Sequence, residues 1–207
     1  MVNSIQHIIK VRAQKFFSEN CISRNKKLKL STCFLALLAA GTLQGQIYAG
    51  EKCKISFFSE TKMENIDAVN SVSKPVLNTK NGAFAVKASQ NAFIFKSAFM
   101  QEHYNENYVE SEKYPFATFT GKINETIDYT KNGINNVTIT GNLDMHGVSK
   151  PRTISGTIEI KDGVIMMYSK FEVKVTDHEI KVPSLYIEKI AEVIQVTFNA
   201  ELALMQK

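Results

Sequence analysis

Three histidines in the body of the chain, His103, His146 and His178, are the side chains best suited to proton transfer or metal binding near neutral pH. Their spacing does not gather them. None belongs to an HxxxH or HExxH pattern and no CxxC pair accompanies them, so no metal site is expected. The chain also has no G-x-S-x-G elbow and no glycine-rich phosphate loop. That leaves His146, two residues after Asp144 in "LDMHGVSKPRTISG", residues 143–156. Paired with Asp144 or a glutamate, it could serve as the base of a hydrolase or isomerase, if a pocket brought the groups together. Strand parity argues otherwise, because it puts both residues on the polar, outward face. No catalytic residue is assigned and no cofactor is called for.

The elements around His146 explain its place differently. Apolar and polar residues alternate up to Met145 and again from Thr153, so "HGVSKP" must reverse or bend the chain. Gly147 permits a backbone that a β-carbon would hinder. Pro151 suits the first residue of a strand, and Lys150 before it is pushed to an extended conformation. His146, Gly147, Lys150 and Pro151 therefore read as a structural turn, with the His146 ring bonding across it or to a neighbouring strand. A contact with a ligand head group is the alternative.

Period-two alternation dominates the chain after its first 45 residues. Strands are expected near 53–59, 72–79, 83–89, 92–98, 116–127, 136–147, 151–161 and 164–176, with a ninth near 192–205. Asn81-Gly82 and Asp162-Gly163 supply hairpin turns, and Asn132-Gly133 marks a longer connection. One wet and one dry face per strand predicts an all-β antiparallel barrel or sandwich. The inward candidates are Phe84, Val86, Phe93, Phe95, Phe119, Ile139, Leu143, Ile158, Phe171, Val173, Val196 and Phe198. They either fill the barrel or line a ligand cavity.

One segment breaks the pattern. Met100, Tyr104 and Tyr108 fall at helical spacing opposite a stripe of Glu102, Glu106 and Glu110, which predicts a short amphipathic helix over 99–110. It is expected to close one end of the barrel as a lid, with both tyrosine rings packed, both hydroxyls wet and the glutamates facing water; a rigid plug that never moves is the alternative. A weaker helical turn is expected in "VPSLYIEKIA", residues 182–191.

Charge separates the chain into two parts. Residues 1–45 carry seven Lys or Arg and one Glu, and the remainder carries 18 basic and 19 acidic residues. The body thus has no charge reason to bind nucleic acid. "RNKKLK" followed by "STCFLALLAAGTL" reads as a signal peptide with a long basic n-region, cut near Gly45; an uncut membrane anchor is the alternative. Residues 46–207 then form a single domain, periplasmic or secreted. Cys53 is alone in that domain, so it reads as a small buried apolar residue.

The stretch "GNLDMHGVSKPRTISGTI" resembles the most recognisable motif of the YceI-like, polyisoprenoid-binding family of bacterial exported proteins. Gly141, Leu143, His146, Gly147, Val148, Lys150 and Pro151 match it, with Ser149 in place of the usual threonine. "YVESEKYPFATFTGKI" resembles a second family signature through Tyr108, Tyr114, Pro115 and Phe119. The resemblance covers roughly residues 52–205. The chain departs from it at the start, where many members carry a Trp and a His, whereas this sequence has no Trp and opens with "CKISFFSE". The resemblance implies a lipocalin-like β-barrel of about eight strands, closed at one end by the short helix. It also implies a carrier whose apolar interior holds a lipid or isoprenoid chain, with transient membrane contact as a further expectation. A filled barrel acting in stress or interaction without a ligand is the alternative.

N-terminal sequencing of the exported protein is expected to start close to residue 46; a start before residue 40 would overturn the leader reading.

Overall fold

The computed structural model describes residues 46–60, 65–181 and 192–205. The leader and the helical turn expected in 182–191 lie outside the described residues. Among the described residues there are ten strands: β1 (Ile47–Ser59), β2 (Ile66–Asn70), β3 (Val76–Asn78), β4 (Ala83–Ser89), β5 (Ile94–Phe95), β6 (Phe116–Ile123), β7 (Gly133–Met145), β8 (Val148–Lys161), β9 (Val164–Lys174) and β10 (Val193–Leu204). Every pairing is antiparallel. Eight strands close a ring in the order β1-β10-β9-β8-β7-β6-β4-β3 and back to β1. β2 and β5 extend the sheet from the C-terminal half of β1, where Phe57 pairs with Ala68 and Ala68 with Phe95.

Several strands depart from expectation; β1 starts at Ile47 rather than near 53, and β6 ends at Ile123 rather than near 127. The run expected near 72–79 is a strand only over Val76–Asn78, and β2 precedes it. Asn70 makes that break: its Oδ1 accepts the backbone N–H groups of Val72 and Ser73, while its Nδ2 donates to Ser89 O at 2.9 Å. A side chain that satisfies turn amides in this way competes directly with strand continuation. The strand expected over 92–98 is reduced to Ile94–Phe95, and the short helix α1 (Ala98–His103) begins just after it.

The turn between β7 and β8 is tighter than six residues. Met145 pairs with Val148, so only His146 and Gly147 lie outside the ladder, with φ of 53° and 75°. Two successive positive φ values fit the two-residue hairpin whose twist matches that of its strands. Pro151 is therefore not a first residue but sits inside β8, opposite Asn142, and Lys150 pairs with Leu143. The ladder from β8 to β9 begins only at Gly156, so Pro151 occupies a stretch of β8 with one open edge. Arg152 spans part of that seam by donating from Nη1 to Glu172 O at 2.8 Å.

Side-chain size along the inward faces divides the interior. Leu77, Ile123, Ile158, Ile160, Ile165 and Leu202 are buried and fill one end. Toward the other end the inward pairs of β4 and β6 run Phe84 with Gly121, Val86 with Phe119, and Ala88 with Ala117. Phe84 faces a glycine, and the last pair is small on both sides.

Gly147 holds a backbone that other residues adopt at a cost of about 1–2 kcal/mol. A β-carbon there would also lie 2.7 Å from Tyr114 Cε1. Gly147→Ala is expected to lower unfolding free energy by about 1–3 kcal/mol in urea titration.

Candidate functional site: an apolar cavity beneath a helical lid

The segment above the small-residue end is α1 followed by a single π-helical turn, Tyr104–Tyr108. It corresponds to the helix expected over 99–110, but the wider turn changes which groups point inward. The Tyr104 ring enters the barrel mouth among three phenylalanines, with centroid separations of 4.9 Å to Phe95, 5.6 Å to Phe57 and 6.0 Å to Phe93. Aromatic pairs at such distances each contribute about 0.5–1.5 kcal/mol beyond simple burial. Its hydroxyl is not wet, contrary to expectation. It donates to Gln90 Oε1 at 2.6 Å, and burial pushes its pKa far above the ordinary phenol range. Glu102, Glu106 and Glu110 are exposed, in line with the acidic stripe.

The far end of the lid is fastened by the β7–β8 turn. His146 Nε2 lies 3.4 Å from Glu110 Oε1, and its Nδ1 lies 3.0 Å from His178 O. Its ring packs on Tyr114 at 4.6 Å between centroids. The His146 side chain is only 11% exposed, so it does not occupy the outer face with Asp144. A residue at positive φ in a turn has left the alternation that governs strand residues, which is why parity misplaces it. Val109, Val175 and Ile180 form a small buried cluster beside this clasp. His178 is fully buried; its Nδ1 sits 3.1 Å from Val148 O, and burial pushes its pKa down.

Beneath the lid lies a cavity of about 470 Å³. That falls within the roughly 300–1,000 Å³ range of small-molecule sites. Phe84, Val86, Phe93, Phe95, Phe119, Ile139, Leu143, Phe171, Val173, Val196 and Phe198 all line it, as do Met100, Tyr104 and Tyr108 of the lid. Ile158 does not. It is wholly buried in the filled end, opposite Met167, because alternation gives a residue's face but not its height along the barrel. His146, Gly147, Lys150 and Pro151 also lie outside the cavity lining, and Lys150 and Pro151 are exposed.

Several lining residues were not expected. Phe57, Ala88, Ala117, Gly156 and Met167 share the inward parity of their strands and were readable on that basis. Gln90 was not, since it follows β4 in a turn of 3-10 helix and is polar. Among the described residues the lining contains no Asp, Glu, Lys or Arg. His103 reaches the rim, where its ring packs on Phe99. Cys53 is buried away from the cavity, and burial pushes its thiol up to about 11.

The YceI-like domain family matches residues 51–202. Three solved structures share the fold at low identity. A polyisoprenoid binding domain from Saccharophagus degradans, implicated in plant cell wall breakdown, superposes with a TM-score of 0.66 at 16% identity, covering 76% of this chain and 98% of that one. Burkholderia cenocepacia BcnA gives 0.61 at 15% identity, covering 72% and 95%. The Campylobacter jejuni YCEI protein gives 0.51 at 18% identity, covering 72% and 85%. Among curated protein sequences none matches the chain.

His146→Ala removes two polar contacts outside the cavity, so it is expected to cost about 1 kcal/mol of stability. Any small molecule that co-purifies with the barrel should be retained. A folded variant that loses such a molecule would assign the ring to ligand binding; thermal denaturation and native mass spectrometry on the same sample decide it.

Proposed function

The chain belongs to the YceI-like domain family, and we propose that it is a binding protein and carrier for a lipid or polyisoprenoid chain held inside the barrel. The observation that carries this reading is the cavity itself: about 470 Å³, walled mainly by aromatic and aliphatic side chains, with no Asp, Glu, Lys or Arg in the described lining. Each CH₂ moved from water into such a space contributes about 0.8 kcal/mol, so some ten carbons offset a typical association cost. The structural relative from Saccharophagus degradans is described as polyisoprenoid binding, which supports the same ligand class.

The role is a non-enzymatic one. His146 meets a glutamate, Glu110, in the lid clasp, while Asp144 is exposed; neither carboxylate nor His146 lines the cavity, so the pairings considered for hydrolysis or isomerisation lie outside it. We place the protein in the periplasm or outside the cell, on the strength of the basic and apolar leader in residues 1–45. Membrane contact is transient in this reading. Phe99 at the cavity rim is 65% exposed and Ile94 nearby 61%, which offers an apolar touch point. The exposed glutamates of the lid oppose lasting residence on an anionic surface.

Native mass spectrometry of protein purified from its own host is expected to reveal a retained lipid that organic extraction removes. A bare mass under conditions that preserve non-covalent complexes would favour a barrel that works without a small ligand.

A further inference from the structure

Gln90 stands out in the cavity wall. It is 1% exposed and lies in the turn that follows β4. Its backbone is fully engaged, with the N–H on Pro115 O at 2.9 Å and the carbonyl accepting from Phe93 N at 3.2 Å. Its side-chain oxygen accepts the Tyr104 hydroxyl, but its Nε2 has no partner among the described residues. Turning the amide over would not repair this. The phenol hydrogen would then lose its acceptor and the amide oxygen would take the orphaned place. A buried amide donor left unpaired is costly, and native interiors seldom contain one without a reason.

We propose that this N–H is the anchor for the polar end of the bound molecule, and that this end is a neutral acceptor such as a ketone, ester or amide carbonyl. The inference rests on the lipid-binding reading above and narrows its ligand class. Two observations favour a neutral group over a phosphate. The donor is itself uncharged, and the described lining offers no Lys or Arg to compensate an anion leaving water. The position also sets the polarity of binding. Gln90 sits against Tyr104 at the lid end, so the carbonyl lies under the lid and the tail runs down toward Phe84 and Phe198.

The test compares three probes of common skeleton by fluorescence displacement: farnesylacetone, its carbonyl-free hydrocarbon counterpart, and farnesyl phosphate. The intact barrel is expected to bind the ketone about tenfold more tightly than the hydrocarbon, the scale of one buried hydrogen bond, and to bind the phosphate no better than the hydrocarbon. Gln90→Met should erase the ketone preference, read as the ratio of ketone to hydrocarbon affinity within that variant. Because Gln90 is buried and its replacement risks misfolding, the infrared carbonyl band of the ketone bound to unmodified protein serves as a second readout. A band moved below its position in hydrocarbon solvent supports the anchor. An unshifted band, a ketone preference that survives in a folded Gln90→Met, or a preference for the phosphate overturns it. If no probe binds at all, the lipid-binding reading falls with it; equal binding of ketone and hydrocarbon removes the anchor alone.

Discussion

The pairing of β1 with β10 closes the sheet, and the interior exists because of it. From Tyr48 opposite Leu204 to Phe58 opposite Gln195, the first and last strands of the domain run alongside each other. Their union converts an open sheet into a ring of eight strands. A ring of that size has an interior only just wide enough for its own side chains. Whether it is solid or hollow is then decided by the inward residues, position by position. Isoleucines and leucines fill one end. Gly121 and Gly141 face each other so closely that a β-carbon on Gly141 would overlap the Thr120 carbonyl, and the Phe84 ring lies opposite Gly121. Higher up, the Ala88–Ala117 pair contributes almost no volume, and space opens beneath the lid.

The lid is held at two points of different chemistry. Tyr104 is clasped by aromatic rings and by Gln90, while the end near Glu110 is held by the turn that carries His146. Tyr114 and Gly147 come from separate segments, and the tight approach between them leaves no room for a side chain on the glycine. The two sequence motifs singled out by resemblance thus meet in space. Their shared task is architectural: they fix where the lid ends.

Much of this was legible in the sequence, for a simple reason. Residues such as Phe84, Val86, Ile139 and Val196 sit inside paired strands, where side-chain direction is fixed by parity alone. Legibility failed where something other than parity decides. Ile158 has the right face but the wrong height. His146 occupies a positive-φ turn, a conformation its residue type does not advertise. The start of β8 was hidden because Pro151 reads as a boundary, and only the late onset of the β8–β9 ladder makes it tolerable inside a strand. Gln90 was hidden most deeply, since a polar residue beyond a strand's end carries no signal of burial.

The unequal filling of the barrel has a volumetric consequence. A chain that folds around a hollow encloses space that solvent reclaims when the chain unfolds, so the system contracts on denaturation. Hydrostatic pressure therefore acts on this fold through its lid-side half, where the side chains leave about 470 Å³ between them, and only weakly through the end packed with Leu77, Ile165 and Leu202.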